Sequence, residues 1–176
     1  MRILIVLSQT LSAQEPPKKD VGNYYWIETG VGNTSFNSKG INGQLAINVA
    51  IKKNLFSLSS FSHTGPVTFF GDNGTPVIDG VNIFYGRILK KRFGFLHAKG
   101  GVGYGIHKYA VDEIHSGGWF SSTKYVYEKE SVLGVSLEVG AAAKFKVIMV
   151  GVYGSAYLSN VPIAAVGLRL GLGDFM

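Results

Sequence analysis

The chain has 176 residues with a formal net charge of +6; 24 residues are glycine, none is cysteine, and 16% are charged against 46% hydrophobic. A typical soluble domain carries about 25% charged residues and about 7% glycine, so charge is depleted here and glycine roughly doubled. An aromatic content of 12% excludes a disordered chain, and the lack of cysteine excludes a disulfide framework or a thiolate metal site.

Met1 to Gln14 reads MRILIVLSQTLSAQ. Arg2 supplies a positive start, Ile3 to Leu7 an apolar stretch and Leu11 to Gln14 a small-residue cleavage zone, which is the layout of a secretory signal peptide. The apolar stretch is short for that role, and a buried first strand is the other reading. Residues 15–23 then form an exposed arm, leaving 24–176 as one domain. Mean hydropathy is +0.19, yet no run approaches the ~18 apolar residues of a membrane helix.

From Tyr25 onward the pattern is period-2 alternation, the mark of strands with two unlike faces. It is weak over Tyr25–Val31 and clearest over Gln44–Ile51, where Leu45, Ile47, Val49 and Ile51 share one face. Residues 55–63 are ambiguous: either Phe56 and Leu58, or Leu55 and Phe61, define the apolar side. Val81–Leu89 is weaker; next, Val102, Tyr104 and Ile106 alternate with glycines, and Leu133, Val135, Leu137 and Val139 alternate with Gly134, Ser136 and Glu138. Ile148–Ala156 is a weaker stretch, and Val166, Leu168, Leu170 and Leu172 close the series. Tight turns at Lys53-Asn54, Lys91-Arg92 and Lys144–Lys146 alternate with long connections at 33–41, 64–79 and 108–124, and the last link is Ser159–Pro162. Eight strands joined in this order predict an all-β, antiparallel up-and-down barrel.

The faces decide its orientation. In a soluble, lipocalin-like barrel the polar face would meet water and be rich in Lys and Glu. Here that face is mainly Gly, Ser, Ala and Asn, which suits the narrow interior of an eight-stranded barrel. The apolar face is therefore expected to meet lipid, as in an eight-stranded transmembrane β-barrel. In alternation, turn-and-loop order, aromatic placement and export signal, residues 24–175 resemble the small OmpA/OmpX-type (porin-like) outer-membrane β-barrels. The resemblance implies a place in the cell outer membrane and contact with its lipids, including lipopolysaccharide. The likeness is architectural and transfers no function; the expected role is non-enzymatic, in membrane integrity, surface interaction or an envelope complex, with the barrel-insertion machinery and an envelope protein as partners. A rim-active lipid-modifying barrel enzyme and an exported soluble ligand-binding barrel are the alternatives. One departure concerns the C-terminus: such barrels commonly end in a lipid-facing aromatic, whereas Phe175 is penultimate and shares parity with Gly173 and Arg169.

Charge is sorted by position. The short-turn end carries ten cations, among them Lys52, Lys53, Arg87, Lys91, Arg92 and Lys146, against Glu15, Asp20 and Asp174. The long-loop end has more acids than bases. The cations sit on hairpin tips without interleaved aromatics on one strand face, so no nucleic-acid partner is expected. Only Glu28, Lys99, Glu138 and Arg169 lie within strands, all on the inward parity. Isolated charges in a narrow lumen are expensive. Two separate pairs are expected, Glu28 with Arg169 and Lys99 with Glu138, with His97 two positions away, together plugging the lumen. Exchanging Glu28 and Arg169 should then restore what either single substitution loses. Tyr24, Tyr25, Trp26, Phe93, Phe95 and Phe145 near one end, and Tyr109, Trp119, Phe120, Tyr125, Tyr127 and Tyr157 towards the other, suggest interfacial girdles, with Trp26 on the inward parity.

Candidate chemistry is thin. Asp112-Glu113-Ile114-His115-Ser116 gathers acid, imidazole and hydroxyl, but adjacency in a loop does not place a base on a nucleophile. His63, His97 and His107 carry no H-x-S pattern of barrel deacylases. Asp72-Asn73-Gly74-Thr75 reads as a tight turn and lacks calcium-loop spacing. Gly100–Gly105 continues a strand, whereas a phosphate-binding glycine motif would open a helix. No catalytic, cofactor-binding or metal-binding residue is expected.

Overall fold

A computed structural model describes residues 22–35, 40–64, 75–115 and 123–174. Eight strands follow in order: β1 Asn23–Thr34, β2 Gly40–Ile51, β3 Asn54–Thr64, β4 Val77–Lys91, β5 Gly94–His115, β6 Thr123–Phe145, β7 Ile148–Leu158 and β8 Ile163–Asp174. They form one closed barrel in sequence order. Every neighbouring pair is antiparallel, and β1 meets β8 through Tyr25↔Asp174 to Thr34↔Ala165. Closure removes the unpaired strand edges that an open sheet would expose.

The alternation seen in the sequence becomes an inside and an outside. Leu45, Ile47, Val135, Leu137, Leu168 and Leu170 all stand exposed on the outer wall. The inner wall buries Asn42, Asn48, Ser57, Ser59, Asn82 and Ser136. A soluble barrel would reverse this arrangement, so the lipocalin-like alternative does not describe the molecule. The ambiguity in β3 is resolved too: Leu55 is 0% exposed and Phe61 6%, while Leu58 is 53% exposed. The side with two apolar residues, two serines and a histidine points inward, with Leu55 and Phe61 filling the lumen towards its two ends.

Those two fillings are distinct. At the short-turn end Tyr24, Trp26, Leu55, Ile88, Phe95 and Met149 pack together. At the long-loop end Phe61, Ile78, Val132, Tyr157 and Ile163 do the same. Tyr24, Phe95 and Tyr157 are therefore lumen fillers rather than girdle residues; Tyr25, Phe93 and Phe145 do stand outside. Bare glycines make room for the rings: a Cβ on Gly134 would lie 2.8 Å from the Tyr157 ring, and one on Gly140 2.6 Å from His97 Cε1.

Two-residue turns close the short end. Lys52 and Lys146 adopt φ of 58° and 56°, a left-handed conformation that side chains other than Gly and Asn rarely take. The long end corrects the expected loop at 108–124. Pairing continues there from Lys108↔Lys129 to His115↔Thr123, with a bulge at Ala110/Asp112. The bulge lets the hairpin absorb Val111 without losing its ladder. Asp112 to His115 thus belong to a strand, and the Asp112 carboxylate accepts from the Glu113 N–H at 2.8 Å. Residues 1–21, Asp72 to Gly74, Trp119, Phe120 and Phe175 lie outside the described residues, and with them the expected signal peptide, most of the arm and the C-terminal aromatic.

Candidate functional site

At mid-height the lumen is crossed by Glu28 of β1, His97 and Lys99 of β5, Glu138 of β6 and Arg169 of β8, each at most 6% exposed. All five project inward because all lie on the inward parity of their strands. Barrel closure brings them together. Lys99 faces Glu138 directly in the β5–β6 register. On the other seam Arg169 faces Gly30, and Glu28 faces Gly171, a two-residue offset that the long arginine side chain spans.

The expected pair of separate ion pairs is one connected cluster. Arg169 forks between two strands: Nη1 donates to Glu28 Oε1 at 2.8 Å and Nη2 to Glu138 Oε1 at 2.9 Å. Lys99 Nζ lies 3.0 Å from Glu138 Oε1 and 3.9 Å from Glu28 Oε1. His97 Nε2 sits 3.1 Å from the same Glu138 oxygen. Glu138 is the hub, because its carboxylate stands where β5, β6 and β8 side chains converge. The planar fork of an arginine suits such a bridge, which a lysine cannot reproduce.

Neighbours that the charge pattern did not reveal complete the cluster. Trp26 Nε1–H donates to Glu28 Oε2 at 2.9 Å, and Gln44 Nε2–H donates to Glu138 Oε2 at 2.9 Å. Lys99 also donates to Ser57 Oγ at 3.2 Å. Aromatic faces cover both cations: Lys99 Nζ is 4.8 Å from the Phe84 ring and Arg169 Cζ 4.6 Å from that of Tyr153. The signal for these residues was their inward parity at the same height, but parity does not say which inward side chains reach one another. Both carboxylates therefore carry hydrogen bonds in addition to their ionic partners, as buried charges require.

Above the cluster, Tyr153 Oη–H donates to Asn42 Oδ1, and the Asn42 amide reaches His63 Nδ1 at 3.1 Å. Ser136 Oγ–H donates to Asn82 Oδ1 at 2.6 Å. His63 and His97 are thus built into separate lumen contacts, and the structure does not bring them together. Among the described residues no group of His, Asp and Glu is placed to hold a metal ion.

No protein-family model matches the chain, and no curated protein sequence does either. Solved structures do. The N-terminal β-barrel domain of Pseudomonas aeruginosa OprF superposes with a TM-score of 0.56 at 9% identity, over 85% of this chain and 96% of that one. Ail, the attachment invasion locus protein of Yersinia pestis, solved with the heparin analogue sucrose octasulfate, gives 0.55 at 11% identity over 86% and 97%. Neisserial surface protein A gives 0.52 at 11% identity over 88% and 97%. The chain has the fold of the small OmpA/OmpX-type outer-membrane barrels, with an apolar outer wall.

Proposed function

We propose that the protein is a non-enzymatic outer-membrane barrel with a plugged lumen, acting in membrane integrity and in surface interaction. Short turns face the periplasm and long connections the exterior, the usual arrangement of such barrels. Residues 1–14 serve as the export signal and 15–23 as a periplasmic arm. Its partners on this reading are outer-membrane lipids, lipopolysaccharide included, the insertion machinery during assembly, and an envelope protein. The observation that carries the plug is Glu138, which holds Arg169, Lys99 and His97 within 3.1 Å of one carboxylate oxygen and so joins side chains from opposite walls.

Surface interaction rests on the β5–β6 hairpin, whose pairing runs well past the neighbouring strands and exposes Val111, Ile114 and Val126. Its acids Asp112, Glu113, Glu128 and Glu130 outnumber Lys108, Lys124 and Lys129, which weighs against a polysulfated ligand like the one bound to Ail. Planar-bilayer recording tests the plug. The wild type should show no steady conductance, and a steady open channel would overturn the reading.

A further inference from the structure

The outer wall near the β2–β3 and β4–β5 turns carries a site that the lumen does not explain. On β4 the outward side chains alternate Tyr85, Arg87, Leu89 and Lys91, so Arg87 projects from the lipid-facing wall between two apolar neighbours that are each 53% exposed. Asn54 of β3 is its register partner, and the Tyr85 hydroxyl donates to Asn54 Oδ1 at 3.2 Å. The Ile88 N–H donates to the Lys53 carbonyl at 3.0 Å, which ties the Lys52-Lys53 turn to this part of β4. Lys52, Lys53, Arg87, Lys91 and Arg92 are all exposed. None forms an ion pair with a described residue. Among the described residues of these strands no acid is close by: β2 and β3 contain none, and β4 has only Asp79, near its opposite end.

We propose that this corner binds the phosphate headgroup of an anionic phospholipid in the periplasmic leaflet, with Arg87 as its principal ligand; the choice of leaflet rests on the orientation proposed above. A guanidinium on a membrane wall must reach the headgroup layer to keep its charge solvated, and its fork matches phosphate oxygens two at a time. The adjacent turn lysines add attraction that depends on the lipid's net charge. A soluble periplasmic polyanion would meet the turn tips but not Arg87, which lies on the wall beside Tyr85 and Leu89, with the Phe56 ring packed at a tilt 5.3 Å from that of Tyr85.

The full chain is refolded into vesicles of phosphatidylcholine mixed with phosphatidylglycerol. It is then extracted in mild detergent, and the lipids it retains are counted by native mass spectrometry. The wild type should retain phosphatidylglycerol above its share in the vesicle. Arg87→Gln should lower that enrichment about fivefold, the equivalent of ~1 kcal/mol for one cation near the surface, and Arg87→Lys should fall between. Heat-modifiable gel mobility verifies that each variant is folded. Equal retention of the two lipids by folded wild type, or unchanged enrichment in Arg87→Gln, overturns the site alone. In a second set of vesicles that also contains lipid A, preference for lipid A over phosphatidylglycerol through the same residues overturns the leaflet assignment and the site with it. Failure of the wild type to fold in any vesicle overturns the membrane reading on which the site depends.

Discussion

Leu55, Ile88, Phe95 and Met149 fill the lumen at the short-turn end around Trp26 and Tyr24; above them Glu28, Lys99, Glu138 and Arg169 fill it with charge. The two regions are similarly buried and are joined by Trp26, whose ring packs 5.4 Å from Phe95 while its N–H donates to Glu28. They differ in what happens when one member is removed. An apolar filling loses the transferred area and gains a cavity, and its neighbours can partly collapse. A charged cluster cannot collapse, because the partners left behind are uncompensated and remain desolvated. Its net contribution to stability relative to an apolar filling of the same volume is small, while the loss of one partner is costly.

The largest effect expected from this contrast is at the hub. Glu138→Ala leaves Arg169 and Lys99 facing each other and should destabilise the barrel by about 3–5 kcal/mol, read by urea unfolding in phospholipid vesicles. A loss below about 1 kcal/mol would mean that water reaches the cluster and screens it. The exchange of Glu28 and Arg169 comes next. Two independent pairs would recover wild-type stability, but Arg169 also holds Glu138. The exchange sets a carboxylate at position 169 against that of Glu138, and such like-charge contacts cost several kcal/mol. The double variant should therefore stay well short of wild type, and full recovery would show that the Arg169–Glu138 contact is dispensable.

In the apolar region Leu55→Ala should cost about 3 kcal/mol without altering conductance, because the charged cluster above it remains closed. A channel opening in this variant would move the seal to the short-turn end. The smallest effect lies outside both regions: Lys146→Gly relieves a left-handed residue and should stabilise the barrel by ~1 kcal/mol, seen as a higher urea midpoint with an unchanged slope.

Strand number, order and the outward face were legible wherever alternation was strict, as from Leu45 to Ile51 or Val166 to Leu172. They were not legible in β3, where Leu55, Phe56, Leu58 and Phe61 place apolar residues on both parities. The outer part of the β5–β6 hairpin reads as a loop in the sequence because it is polar and charged, and its bulge breaks the period at Ala110/Asp112. The charged members of the cluster stood out as the few ionisable residues within strands. Gln44, Ser57 and Tyr153 did not, since neutral side chains on the inward parity are ordinary lumen filling.

Alternation is a property of adjacent residues, and a pleated strand turns it directly into two faces. For that reason alternation alone specifies an all-β barrel with an apolar outside and puts Glu28, Lys99, Glu138 and Arg169 inside. Which of them touch was decided by closure and by the reach of each side chain across the lumen. Glu28 lies on the first strand, Arg169 on the last and Glu138 on β6. Only the finished cylinder brings those three walls to one guanidinium, and Lys99 and His97 to the same Glu138 oxygen, turning two expected pairs into a single cluster.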